Sequence, residues 1–369
     1  MILESKERSA PFFAARRERL AERLTDEPFD AFLITEMANI RYLTGFSGTS
    51  ATMLATADDS WFLTDSRYIT QAHDQVAGAV AGVHIREYSE RLEAVASLVK
   101  ETGVKTLGFE AQQVSFAIVE EMRVKFKGVS LTPAEKIVES QRLIKDEPEI
   151  EAMRSLIGML VKVYPEAENL IRSGAVERDV AVELEYRLKK VGADGAAFDF
   201  IVASGERSAM PHGVAGAKTI DDGDMVILDW GAKGWGYYSD TTRVLPVGKV
   251  SEELKNVYKI VLEANQAAID SVRPGVALKD VDGAARKVIK DAGYGDNFGH
   301  GTGHGVGLFI HEDPKVSWTS ESVAKAGMVF TIEPGVYLPG KGGARVEDMV
   351  HVTRESCEVL SLRLPKWSL

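Results

Sequence analysis

Four acids at the ends of strand-like runs, and three histidines in a glycine-rich stretch, are the residues of this chain that could do chemistry. Asp229 closes the apolar run Met225–Leu228, and Asp240 lies on the next β-like segment, beyond a glycine-rich turn. A hairpin would set these two carboxylates side by side. They repel there unless one is protonated or a cation lies between them. The string His300-Gly-Thr-Gly-His304-Gly-Val-Gly, followed by His311-Glu312, gathers three of the chain's seven histidines. Its glycines let the backbone approach a ligand closely, and the imidazoles suit a metal or a developing charge. Glu333 follows the apolar run Phe330–Ile332 and is stopped by Pro334-Gly335; Glu347 stands in Gly343-Ala-Arg345-Val-Glu347-Asp348.

Singly, each of these residues reads as a turn, cap or surface group. Together they read differently. Four carboxylates cancel the charge of two divalent cations, and a bridging hydroxide with one neutral imidazole completes the shells. Without cations, four converging carboxylates in a cleft would be costly to desolvate. Oxygen-rich ligation with one imidazole suits Mn²⁺, with Co²⁺, Fe²⁺ or Zn²⁺ as other occupants. A closely spaced pair would supply a nucleophile and polarise a carbonyl.

The elements that must position these residues alternate along the chain. Up to about residue 135, β-like runs at Phe29–Thr35, Ala51–Thr56, Trp61–Thr64, Val83–Tyr88 and Val104–Glu110 are separated by helical patterns at Ser89–Thr102 and Ser115–Lys127. In the first of these helices Leu92, Val95, Ala96 and Val99 share one face. Such alternation predicts a sheet covered by helices. The charged stretch from Lys145 to Glu149 then opens a new pattern, with Pro148 suited to a first helical turn and Met153, Leu156, Ile157, Leu160 and Val161 on one face. The domain boundary falls between Pro133 and Pro148, which predicts domains at 1–138 and 139–369. The second domain repeats its organisation. Helices near 148–172 and 178–191 precede strands near 198–204, 225–230 and 237–245. Helices near 252–272 and 279–291 precede strand-like runs near 306–310, 328–333 and 346–353. Ser251 caps the third helix and Pro274-Gly275 ends it. Two such halves predict one domain of pseudo-symmetric lobes.

The 369 residues suffice for two domains, and 45% hydrophobic with 27% charged residues describes a globular chain. A net charge of -11 argues against nucleic acid or an anionic membrane as a partner. No run reaches the roughly 20 apolar residues of a membrane span. Met1–Leu20 mixes acids and bases without an apolar run of signal-peptide length. Cys357 is the sole cysteine, so no intrachain disulfide forms, and a cytoplasmic location is expected.

The strings Asp-Trp-Gly, Ser-Asp-Thr-Thr-Arg, His-Gly-Thr-Gly-His, Thr-Ile-Glu-Pro-Gly and Arg-Val-Glu-Asp resemble the proline-specific branch of the pita-bread metallopeptidases, family M24, which contains aminopeptidase P and prolidase. The resemblance covers the chain from about residue 145 to its end. Residues 29–88 are similar to that branch's smaller N-terminal domain, through Asn39-Ile-Arg-Tyr-Leu-Thr-Gly-Phe46 and Thr64-Asp-Ser-Arg-Tyr68. The implied fold is α+β: a C-terminal pita-bread (creatinase/aminopeptidase-like) domain with pseudo-two-fold lobes, preceded by a smaller α/β creatinase-type domain that restricts substrates or serves oligomerisation.

The implied function is dinuclear, metal-dependent hydrolysis of the Xaa-Pro bond in short proline-containing peptides. Asp229, Asp240, His304, Glu333 and Glu347 fill the family's metal-ligand positions. Glu333 also moves a proton, and His212 and His311 stabilise the oxyanion or hold the substrate. His300 lines the proline pocket or braces its turn. Arg345 supports the metal carboxylates or meets the substrate carboxylate. Tyr337 stands behind the ligands. A homodimer or larger homo-oligomer is implied as well. Within the family, methionine aminopeptidases share the ligands, but Gly-Val-Tyr after Pro334 and Arg345-Val-Glu347-Asp348 resemble the proline-specific branch. A non-catalytic peptide-binding module, and metal-free amidinohydrolysis as in creatinase-like relatives, would lack these acids. The His-Gly-Thr-Gly-His string and His311-Glu-Asp-Pro314 lean toward aminopeptidase P, while the modest length fits compact dipeptidases equally well.

Overall fold

The computed structural model describes residues 3, 6–77 and 82–369, so Met1, Ile2, Glu4 and Ser5 of the N-terminal stretch lie outside the described residues. The chain divides into two compact units, residues 1–142 and 143–369. Among the described residues no helix is long and apolar enough to cross a membrane.

In the first unit, β1 (Ala31–Ile34), β2 (Thr52–Ala55), β3 (Ser60–Asp65), β4 (Val83–Tyr88), β5 (Thr106–Glu110) and β6 (Ser130–Ala134) form one mixed sheet in the order β4-β3-β2-β1-β5-β6. Pairs β3–β4, β1–β5 and β5–β6 run parallel; β1–β2 and β2–β3 are antiparallel. Helices Arg91–Thr102 and Phe116–Lys125 pack Leu92, Val95, Leu98, Val99, Val119 and Met122 onto Leu33, Leu54, Leu63 and Leu107 of the sheet. Among the elements the sequence missed here are helices Lys6–Thr25 and Met37–Thr44, and the edge strand Ser130–Ala134.

The second unit is built twice. Helix Glu147–Leu170 starts at a capping box between Asp146 and Glu149, with Pro148 in its first turn, and helix Glu177–Lys190 follows. Met225–Trp230 is then the middle strand of an antiparallel sheet, between Ile201–Ser204 and Thr241–Pro246. Helices Glu252–Ser271, capped by Ser251, and Leu278–Asp291 repeat the helix pair. Val329–Ile332 then pairs with Gly303–Gly305 on one side and Asp348–Val352 on the other. In both halves the residue before the second helix makes an isolated antiparallel bridge, Val176 to Thr219 and Ala277 to Val323. The two lobes thus share a plan that extends beyond helix and strand order. A common core joins Ile227 and Val244 of the first sheet, Phe330 and Val350 of the second, and Val257 and Val261 of the third helix.

One strand moves. The apolar run 306–310 is not a strand; the pairing segments are Gly303–Gly305 before it and Glu312–Val316 after it. Glycine explains the shift. A Cβ on Gly303 would collide with the Thr331 carbonyl, so the small residue lets the two backbones close at that position. The expected strand 237–245 is also split, into Tyr237–Tyr238 and Thr241–Pro246, with Asp240 at the break.

Candidate metal centre

The five residues singled out as ligands line one cavity of about 610 Å³ within the second unit, together with His212, His300, His311 and Arg345. Each arrives from a strand or strand end. Asp229 lies in the middle strand of the first sheet and Asp240 directly before its neighbour Thr241–Pro246. His304 is central in Gly303–Gly305, Glu333 follows Val329–Ile332, and Glu347 precedes Asp348–Val352. Asp229, Asp240 and Glu347 are buried.

The arrangement asks for cations. Ligand atoms of Asp240, His304 and Glu347 all lie within 4.8 Å of one another. Burial is the largest influence raising Asp240 well above the ordinary carboxylate range, and Glu347, Asp229 and Glu333 push it further. Glu347 is raised well above its usual value by burial first, then by Glu333 and Asp229; burial also raises Glu333. Carboxyls so placed must keep protons or share a cation. Asp229 lines the same cavity, and its Oδ1 is buried with no hydrogen-bond partner. His304 makes the same case. Its Nδ1 lies 3.0 Å from the Gly305 carbonyl, which can only accept, so the proton sits on Nδ1. Nε2 then presents a lone pair to Asp240 Oδ2 and Glu333 Oε1, each 3.5 Å away. Burial lowers the His304 pKa and keeps the ring neutral. Carboxylates and a neutral imidazole with its second nitrogen anchored fit divalent metal.

Arg345 ties the acids together from behind. Its Nη2 donates to Asp229 Oδ2 at 2.7 Å, Nη1 to Tyr337 Oη at 2.9 Å and the Pro211 carbonyl at 3.0 Å, and Nε to Thr242 Oγ1 at 3.1 Å. Thr242 in turn donates to Glu347 Oε2 at 2.8 Å. Burial opposes the guanidinium charge, but Tyr337, Asp229, Glu333 and Glu347 outweigh it and hold Arg345 well above its usual value. With these four donors engaged, one N–H of Arg345 is left to meet anything else.

The remaining histidines differ in freedom. His300 gives its Nδ1 proton to the Gly301 carbonyl at 2.8 Å and accepts at Nε2 from Tyr337 at 2.9 Å, so both ring nitrogens are engaged. Burial lowers its pKa. His311 lies edge-to-face on His304, ring centroids 4.3 Å apart, and burial followed by His304 lowers it too. His212 is exposed at the cavity.

Sequence reasoning missed three contributors. Thr242 and Thr331 stand inside the quoted strings; Thr331 accepts from the His304 N–H at 3.2 Å. Lys315 lines the cavity and pairs across the strands with His304, which puts both side chains on one face. Its place one residue after Pro314 was the available signal. Phe198, Ile201, Val214 and Ile310 give the cavity an apolar wall.

The model of metallopeptidase family M24 matches residues 151–354, and that of the creatinase/prolidase N-terminal domain residues 16–144. The Xaa-Pro dipeptidase of Pyrococcus horikoshii is 36% identical over 344 residues, 93% of this chain and 96% of that one. A solved Xaa-Pro dipeptidase from Bacillus anthracis superposes with a TM-score of 0.93 at 38% identity, covering 96% of this chain and 99% of that one. An X-Pro aminopeptidase from Thermotoga maritima gives 0.87 at 37%, covering 94% and 98%.

Proposed function

This chain belongs to metallopeptidase family M24, and from that premise we propose that it cleaves the bond before proline in Xaa-Pro dipeptides, using two divalent cations held by Asp229, Asp240, His304, Glu333 and Glu347. Manganese is the ion best suited to this donor set. When bound, the cations polarise the scissile carbonyl and lower the pKa of a water.

The chain's own groups do the rest. Glu333, whose carboxyl burial already biases toward holding a proton, takes one from the attacking water and passes it to the proline nitrogen. His311 and His212 face the cavity and donate to the carbonyl oxygen as charge develops there. His300, with both nitrogens engaged, presents its ring to the proline and fixes the glycine-rich turn. Arg345 orients Asp229 directly and Glu347 through Thr242.

Lys315 carries the preference for dipeptides. Among the described residues no acid pairs with it, and it shares the cavity face with His304, so its ammonium is placed for the free carboxylate of a C-terminal proline. The first unit would restrict longer peptides, and assembly into a homo-oligomer accords with the family.

The test compares a Xaa-Pro dipeptide, the same dipeptide amidated at its C-terminus, and a Xaa-Pro-Xaa tripeptide, each with added Mn²⁺. The dipeptide is expected to have the highest kcat/KM. Lys315→Met is expected to raise its KM by roughly tenfold or more, the loss of one charge-assisted hydrogen bond, without altering cleavage of the amide. Tripeptide turnover at or above the dipeptide's, unchanged by Lys315→Met, replaces the dipeptidase reading with an aminopeptidase one.

A further inference from the structure

The two strands that carry Glu333 and Glu347 are paired on either side of these residues but not at them. Ile332 pairs with Asp348, and Gly335 with Arg345; Glu333-Pro334 and Val346-Glu347 lie between the two ladders. Pro334 has no N–H to give, and one long bond crosses the gap, from Val346 N to the Pro334 carbonyl at 3.4 Å. Buried carbonyls released by such a break need donors.

Two of them share one. The carbonyls of Ile332 and Val346, each immediately before a glutamate, accept from Nδ2 of Asn265 at 3.0 and 3.3 Å. Asn265 is fully buried within helix Glu252–Ser271. Its Oδ1 accepts from Nζ of Lys366 at 2.8 Å, and the same ammonium pairs with Asp348, the residue after Glu347, at 2.7 Å. Carbonyls only accept and an ammonium only donates, so the amide has one orientation. The two hydrogens on a planar amide nitrogen diverge at a fixed angle, so the group that satisfies both carbonyls also fixes their separation.

We infer that Asn265 is a positioning residue that sets the spacing of Glu333 and Glu347, and thereby lets the centre hold two cations at once, with Lys366 holding Asn265 in place. The inference rests on the dinuclear reading above. Nothing in the amide reaches the cavity; it acts through the two backbones.

Asn265→Asp tests this. The substitution keeps the size and the Lys366 partner but removes both donors. The added negative charge alone would favour cations, so weaker binding reports the lost clamp. Calorimetric Mn²⁺ titration of the chelated wild type is expected to show two sites, with an exchange-coupled Mn–Mn signal by electron paramagnetic resonance. In Asn265→Asp the second cation is expected to weaken by roughly 10- to 100-fold, as for other groups that orient ligands from behind. The coupled signal should fade while the far-ultraviolet circular dichroism stays native. Lys366→Met, at a partly exposed site, should move the same readouts less, and it decides the matter if Asn265→Asp does not fold. Two cations bound at wild-type affinity with an intact coupled signal overturn the inference. A folded wild type that binds fewer than two overturns the dinuclear reading, and the inference falls with it.

Discussion

The two lobes of the catalytic unit bring their acids to one cavity by different means. In the first, Asp229 sits inside an unbroken ladder: Met225–Trp230 pairs residue by residue with Thr241–Pro246, and Asp229 also faces Ile201 on the other side. Backbone bonds alone fix where its Cα lies. In the second, Glu333 and Glu347 occupy the break between two ladders, and side chains take the carbonyls that the break leaves open. Asn265 takes the preceding carbonyls and Arg243 donates to the Glu347 carbonyl at 2.6 Å, while the Glu333 and Glu347 N–H groups give to the backbone carbonyls of Thr302 at 2.7 Å and Thr242 at 3.1 Å. Asp229 is placed by regular sheet, and Asp240 stands at the break just before strand Thr241–Pro246. The longer glutamates, with one more rotatable bond, are placed by a buried polar scaffold. Such a scaffold is costly wherever one partner is lost.

Glu347 is where the two schemes meet, and removing it has the largest expected effect. It belongs to the second lobe, yet its Oε2 takes a hydrogen bond from Thr242 of the first. Glu347→Ala is expected to lose at least one cation per chain and to cut kcat/KM by about a thousandfold, on the order of 4 kcal/mol of barrier. Elemental analysis beside steady-state kinetics checks this. Full turnover with two metals retained would remove Glu347 from the ligand set.

Arg345 crosses between the lobes in the other direction, from a second-lobe strand to Asp229. Arg345→Met is expected to cost roughly 10- to 100-fold in metal affinity, with kcat falling in parallel. The same variant separates the two roles open to this residue. If Arg345 met the substrate carboxylate instead, KM for a dipeptide would climb while metal content stayed constant.

The acids are legible in the sequence of both lobes. Asp229, Asp240, Glu333 and Glu347 could be read because each stands where an apolar run meets glycine, proline or a turn, a punctuation that the sheet imposes. The groups that hold them could not. Asn265 is a single polar residue on a helix, 67 and 81 positions from the carbonyls it satisfies. The first unit hid its opening helix for a related reason. The inward face of Lys6–Thr25 carries Arg16 and Arg17, both buried, with Arg16 donating to the Tyr42 carbonyl and Arg17 to that of Leu43. Those bonds close the C-terminal turn of helix Met37–Thr44, so two charges interrupt the apolar period. Strand Ser130–Ala134 was hidden by Pro133, which an edge strand tolerates because one side of it needs no donor.

Protons give the gentlest way to probe the contrast between the lobes, because Asp240 comes from one and Glu333 and Glu347 from the other. All three are raised, chiefly by burial. In chelated protein the folded state therefore holds protons that the unfolded chain releases near pH 4. Stability conferred by these protons is present at low pH and is lost as pH rises through the folded values. His300, His304 and His311 act oppositely. Burial lowers them, so the unfolded chain takes up protons first, and their contribution to stability is lost as pH falls below about 6.5. The two sets tilt stability in opposite directions with pH, and cations in the site would replace the carboxyl protons. Thermal midpoints measured upward from about pH 4 are therefore expected to show a gain from Mn²⁺ over chelator that grows with pH, as fewer protons compete with the cations. A gain from Mn²⁺ that is independent of pH would mean that the acids of the two lobes do not share one electrostatic site, and the broken ladder would then have to be explained without it.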